Sequence, residues 1–422
     1  MTSRPQPHAQ LAPASGGTGP ATAPTYVPDA RYVLLLGAMC ALPAVSTDIY
    51  LPSLPDVARD LGTSATAVQL TMTGMLIGGA VGQLVIGPLS DRFGRRRPVL
   101  IGVALHILTS LLCAVAPGIV PLIVLRVLQG FFNASASVVA MAVIRDRFVG
   151  SDASRLLSRL MLVIGVAPLF APSVGGLIAG QAGWRGVFVA LGVFGAGLWV
   201  VVWRRMPETL PPERRREGGI RTALAGYGRL LRDRHFVALA VLPGLGVAVL
   251  MSYVVGSPFV LQVGYGMSTT QFALLFAVNG IGLVAGAQVN AALVRRYAPV
   301  RIMRIVMPIS VLLTLVLLAL ALTGAGGLPA LLVVLWLLLA LVNVAPPNAS
   351  AIALGRHGQM AGTAAACIGA LQAGISGIVS PLVGVLGGDA LAMATVMAGA
   401  ATAAFLVLAL ATPAYRSGGW TT

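Results

Sequence analysis

The sequence predicts an all-α integral membrane protein of twelve transmembrane helices in two six-helix halves. Three observations carry this. Of 422 residues, 57% are hydrophobic and 9% charged, whereas a soluble globular chain is about 25% charged. The apolar residues gather into twelve runs, roughly 32–52, 65–89, 98–116, 119–144, 156–180, 184–203, 236–262, 269–294, 302–322, 328–354, 360–387 and 390–412. Each is close to the ~20 residues that cross a hydrocarbon core. The basic residues number 28 and are all arginine. All but Arg59, Arg126 and Arg185 fall in the terminal segments, in the even-numbered loops or within the first turn of the span that follows one, which is the positive-inside pattern. It places both termini in the cytoplasm. It also accounts for the net charge of +16 by the bilayer, with no need of nucleic acid.

Residues 1–30 are rich in Pro, Ala, Gly and Thr and read as a disordered cytoplasmic tail. They are too polar for a signal peptide. The first half covers 31–206. Its first span ends in Thr47-Asp48-Ile49-Tyr50-Leu51-Pro52-Ser53-Leu54-Pro55. Asp48 is the one carboxylate clearly inside an apolar run. An acid there costs about 2.5–3.5 kcal/mol on insertion scales, so it is a functional candidate by default. The other reading is an interfacial Asp that caps a helix end before Pro52.

Between spans 2 and 3 stands Gly87-Pro88-Leu89-Ser90-Asp91-Arg92-Phe93-Gly94-Arg95-Arg96-Arg97-Pro98, a strongly basic turn. In span 4, Arg126, Gln129 and Asn133 lie at i, i+3 and i+7 on one helix face, read as lining a cavity. A buried Arg keeps its charge and needs partners; the other reading is a structural Arg on backbone carbonyls. Span 5 carries Gly165-Val166-Ala167-Pro168-Leu169-Phe170-Ala171-Pro172-Ser173-Val174-Gly175-Gly176, a bendable helix with a smooth face.

These motifs together carry a resemblance. The basic turn resembles the loop between helices 2 and 3 of major facilitator superfamily transporters, roughly G-x-L-x-D-R-x-G-R-R/K. Residues 47–55 are very similar to the end of helix 1 in the Bcr/CflA group of drug:proton antiporters. Residues 126–130 resemble the family's helix-4 pattern R-x-x-Q-G. Span 5 resembles the helix-5 antiporter motif, with Ala171 in place of the central Gly. The resemblance implies two halves rocking about a central site and proton-coupled efflux of small amphipathic molecules, such as amphenicols or bicyclomycin-like compounds, across the inner membrane. It assigns proton coupling to Asp48 and Arg126. A conformational latch falls to Gly87, Asp91, Arg92, Gly94, Arg95 and Asp146. The antiporter motif falls to Gly165, Pro168, Pro172, Gly175 and Gly176. Asp91 would approach a helix N-terminus of the other half, and Arg95 would pair with Asp146. Some related exporters carry a second acid two turns before Asp48, where this chain has Cys40. The alternative function is import or export of a dedicated small metabolite on the same fold.

Residues 207–234 hold Pro207, Pro211, Pro212 and the run Arg214-Arg215-Arg216, and read as a cytoplasmic linker. The second half covers 235–412, followed by a short cytoplasmic tail, 413–422. Arg295-Arg296-Tyr297-Ala298-Pro299-Val300-Arg301 is a degenerate copy of the basic turn. Tyr50, Gln129, Asn133, Tyr253, Asn279 and Gln372 are the candidates for a substrate cavity. Gln69, Asn343, Asn348 and Phe259 are weaker ones, and interhelical bonding accounts for them equally well. His106 reads as structural. Cys40, Cys113 and Cys367 stand apart, with no metal or disulfide spacing. No nucleophile–base pair or cofactor loop appears, so the expectation is a transporter, not an enzyme. It would have no cofactor or metal, small-molecule and proton partners, and a monomeric state.

Overall fold

The computed structural model describes residues 30–147, 151–215, 219–356 and 360–415; for residues 30, 151–169, 214 and 219–223 it describes the backbone alone. The predicted tails, 1–30 and 413–422, lie almost wholly outside the described residues. Among the described residues all regular structure is helical, and eleven stretches are long and apolar enough to cross a membrane.

Helix α1 (Ala30–Asp48) runs through a tight turn, Leu51–Ser53, into α2 (Leu54–Asp60) and makes the first pass. The next three passes are α3 (Ala65–Phe93), α4 (Arg96–Ala114) and α5 (Ile119–Arg147). Helix α6 (Ser151–Arg205) has 55 residues. A straight helix of that length would measure about 80 Å, against a hydrocarbon core of about 30 Å. It is broken at Gly183, where φ is 68° and ψ 178°, a conformation that glycine adopts freely. The predicted fifth and sixth spans are therefore two passes of one element, and eleven stretches make twelve passes.

The second half follows with α8 (Arg234–Pro258), α9 (Thr269–Leu293) and α10 (Pro299–Thr323). The tenth pass is α11 (Gly327–Val342) with α12 (Ala345–Gly355). The eleventh is α13 (Ala361–Val379) with the short α14 (Leu382–Val385), and α15 (Ala390–Leu406) is the twelfth. Side-chain caps fix several starts. Ser64 accepts the Ala67 amide at 3.2 Å, Asp389 accepts that of Ala392 at 2.7 Å, and Ser268 and Gln271 form a capping box on α9.

Two boundaries differ from the sequence reading. Span 2 was expected to end near residue 89, but α3 continues through Pro88 to Phe93. The basic turn between helices is reduced to Gly94 and Arg95. The expected linker 207–234 contains a helix, α7 (Gly219–Arg232). Its leucines and Tyr227 recur at helical spacing, which the proline- and arginine-rich stretch before it obscures.

Within the first half, α3 packs on α5, and α6 on α1 and α4; within the second, α8 packs on α13 and α15, and α10 on α15. The halves meet along α3 against α13 and along α6 against α9. In each pairing the second pass of one half meets the fifth of the other, a reciprocal two-fold arrangement. The halves touch at both ends. At the end away from the basic turn, Gln262 donates to the Pro52 carbonyl at 3.2 Å, and one apolar cluster joins Tyr50 and Leu54 to Phe259 and Val260. At the basic end, Arg145 of α5 lies against Gly362 at the start of α13.

Candidate functional site

The site begins where α1 ends. Ser46 donates to the Leu42 carbonyl at 2.7 Å and Thr47 to the Pro43 carbonyl at 2.9 Å, so both hydroxyls fold back on their own helix. Asp48 follows them and is buried, at 6% exposure. Among the described residues no basic side chain forms an ion pair with it.

Arg126 of α5 is fully buried and reaches the same stretch by another atom. Its Nη1 donates to the Ser46 carbonyl at 3.3 Å and to Gln129 Oε1 at 2.6 Å. Its Nη2 lies 3.5 Å from Met72 Sδ. The guanidinium sits 5.0 Å from the Tyr50 ring centre and 5.6 Å from that of Phe188; the two rings are 5.0 Å from each other, so both offer cation–π contacts from the same side. Gln129 in turn donates to Ser110 Oγ at 2.7 Å, and Ser110 donates to the His106 carbonyl at 2.7 Å. Ser110 thereby orients the Gln129 amide so that its oxygen faces the cation. Arg126, Gln129 and Tyr50 thus converge inside the first half, on α1, α3, α4 and α6. They hold one another there, and Asn133 is buried one helical turn further along α5.

Helix α6 backs this site. A Cβ at Gly175 would strike the Ile49 carbonyl oxygen and stand 2.7 Å from its carbon. Ile49 is the residue after Asp48, so the absence of a side chain at 175 lets α6 lie against the end of α1. Gly176 turns to the other half, where a Cβ would meet Thr269 Cγ2 at 3.4 Å. Pro172 lies on the same helix; Gly165 and Pro168 fall where only the backbone is described.

The basic end is a second cluster. Arg95 is buried and donates to Asp146 at 2.8 and 3.3 Å, to Asp91 at 2.6 Å and to Ser90 Oγ at 2.8 Å. The backbone amides of Arg95 and Arg96 donate to Glu208 at 2.8 and 3.2 Å, so the carboxylate covers the start of α4. Gly94 has φ +89°, and a Cβ there would come within 2.8 Å of the Glu208 carboxyl carbon. Both demands select glycine. Arg92 lies over the Phe93 ring at 5.2 Å, and Gly87 is an ordinary residue of α3 whose carbonyl accepts from Ser90 at 2.9 Å. Sequence reasoning missed Glu208; an acid just past the sixth span, on the side of the basic turn, was the available signal.

Burial pushes the Glu208 carboxyl up, and the amides of Arg95, Leu210, Arg96 and Thr209 draw it further down, so it stands below the ordinary Glu value. A group lowered by folding stabilises the protein above its unfolded value of about 4.3 and ceases to do so as pH falls through the folded value. Glu208→Gln is therefore expected to lower stability at pH 7 by about 0.3–1 kcal/mol, near the low end because Glu208 is exposed. In thermal melts the gap between variant and wild type is expected to close below about pH 4.

In the second half, Asn279 donates to the Tyr253 hydroxyl at 2.8 Å, and Phe276 stacks on Tyr253 at 5.5 Å. Asn348 donates to Asn290 at 2.7 Å. Gln372 is half-buried on α13. Asp48 and these second-half residues stand on different helices, with no bond between them among the described residues.

Comparison with known proteins adds the following. A sequence model of the major facilitator superfamily matches residues 34–381. A Bacillus subtilis protein named uncharacterized MFS-type transporter YdgK is 36% identical over 365 residues, 86% of this chain and 90% of its own. A bicyclomycin resistance protein homolog of Haemophilus influenzae is 31% identical over 352 residues, 83% of this chain and 88% of its own. A solved structure of the xylose transporter XylE from E. coli, in a partially occluded inward-open conformation, superposes with a TM-score of 0.71 at 14% identity, covering 93% of this chain and 99% of that one. At that identity the likeness speaks to the fold alone.

Proposed function

This chain belongs to the major facilitator superfamily of membrane transporters, and from that premise we propose that it exports small amphipathic drug-like molecules in exchange for protons. The observation that carries the reading is Asp48: a buried carboxyl at a helix end, in an apolar pass, with no ion pair among the described residues. Such a group binds or releases a proton as its surroundings change. Arg126 supplies the surroundings. Its guanidinium grips the Ser46 carbonyl two residues before Asp48, so any shift of α5 against α1 moves the cation relative to the carboxyl. Alternating access would bring Asp48 to each side in turn, with the two halves rocking about the seams α3–α13 and α6–α9. The membrane field favours proton entry, since a charge crossing it is worth about 2.3 kcal/mol per 100 mV.

Bicyclomycin-like compounds follow from the relative of that name, and amphenicols from the Bcr/CflA resemblance. In this reading the basic end faces the cytoplasm, both termini lie there, and the protein works as a monomer in the plasma membrane. The cluster around Arg95 acts as the latch that holds the cytoplasmic end closed. The Asn279–Tyr253–Phe276 group offers an aromatic and a hydrogen-bonding wall to the drug.

The test is drug accumulation in a host lacking its own pumps, expressing wild type or Asp48→Asn, with and without a protonophore. Wild type is expected to lower accumulation, and both the protonophore and Asp48→Asn to restore it to the level of the host alone. Export that persists in a correctly inserted Asp48→Asn protein would overturn the proton-coupling assignment.

A further inference from the structure

Helix α7 has the chemistry of a membrane surface. Tyr227 and Leu230 are buried, while Leu224 and Leu231 are 61% and 50% exposed. The two exposed leucines are seven residues apart and so share one side of the helix. Arg232 stands exposed about a quarter-turn round the helix from them, and Arg229 is exposed further round.

The buried side is anchored to both halves. The Tyr227 hydroxyl donates to the Leu84 carbonyl of α3 at 3.2 Å. That carbonyl is the one that Pro88, four residues on, leaves free, because proline has no N–H. The tyrosine thus supplies the donor that the helix lacks. On the other side Gly226 lies against α13, where a Cβ would meet Thr363 Cγ2 at 3.2 Å and Met360 Cε at 3.4 Å. The helix is therefore fixed across the seam at the basic end, next to where α3 and α13 leave the hydrocarbon. Its exposed surface carries leucines at the edge of the buried side and arginines round from them, the composition of helices that lie in the headgroup layer. The arginine charge complements an anionic leaflet.

We propose that α7 is a strap that binds anionic phospholipid at the cytoplasmic surface. Leu224 and Leu231 enter the acyl boundary, and Arg229 and Arg232 hold the headgroup phosphates. Because the same helix touches α3 of one half and α13 of the other, the bound lipid favours the closed cytoplasmic seam. This goes beyond the export reading and rests on it only for the cytoplasmic placement of the basic end.

The test reads lipid contact directly. Leu224→Cys, labelled with bimane, is reconstituted in nanodiscs containing brominated phosphatidylglycerol or brominated phosphatidylcholine; Glu213→Cys, exposed in the linker, is the control. Quenching at position 224 is expected to prefer phosphatidylglycerol by on the order of tenfold in apparent affinity, the effect of two arginines at a charged leaflet. The preference is expected to vanish when Arg229→Gln and Arg232→Gln are added. Equal quenching by both lipids would overturn the proposal. So would quenching by aqueous iodide with none by either lipid, the result if α7 faces the cytosol or a protein partner.

Discussion

Gly175→Ala is expected to remove the larger part of export while Gly176→Ala, one residue on, leaves it nearly intact. The difference is in what each new methyl meets. At 175 it strikes the backbone of Ile49, which cannot rotate aside as a side chain can. Either α6 backs away or the end of α1 shifts, and with it Asp48. Forcing a methyl into such a contact costs about 1–3 kcal/mol, so the melting temperature is expected to fall as well. At 176 the nearest atom is the Thr269 methyl at 3.4 Å, an ordinary contact. The measurement is drug export set beside thermal melting of purified protein for both variants. Full export by Gly175→Ala would show that the contact with Ile49 does not position Asp48.

Much of this architecture was legible because a bilayer imposes a simple rule. Every pass must be an apolar helix, so hydropathy alone places twelve of them. Asp48 and Arg126 stood out because charge inside an apolar run is costly. Partnerships were not legible. The sequence shows Arg126 and Gln129 on one helix face, but not that Arg126 bonds Gln129 and the Ser46 carbonyl or that Gln129 meets Ser110. Nothing local distinguishes a polar face turned to a neighbouring helix from one turned to the central seam. Glu208 lies 113 residues from the Arg95 amide it caps, and only the folded chain brings them together. The strap α7 was hidden because a proline- and arginine-rich stretch precedes it, although Leu224, Tyr227 and Leu231 already had helical spacing. The link between Pro88 and Tyr227 has no sequence signature, since any hydroxyl reaching Leu84 would serve.

Arg126→Met is expected to abolish export and yet leave the fold as stable as wild type, or more so. Two terms compete. Removing the guanidinium leaves Gln129 Oε1 and the Ser46 carbonyl short of a donor, at about 1–3 kcal/mol for a buried group. Against this, the buried cation has no acidic partner among the described residues. Taking an ion out of water costs several kcal/mol, a cost that even a paired ion often fails to recover and that here no described acidic partner offsets. The Tyr50 and Phe188 rings beside the guanidinium accept a thioether readily. The second term therefore matches or exceeds the first. Arg126→Lys separates charge from shape. It keeps a cation but loses the flat fork that reaches Ser46, Gln129 and two rings at once, so export is expected to fall well below wild type. A folded, heat-stable and inactive Arg126→Met means that the chain carries this charge for transport and not for packing. A protein that melts several degrees earlier would instead make Arg126 a structural brace, and its link to Asp48 would have to be abandoned.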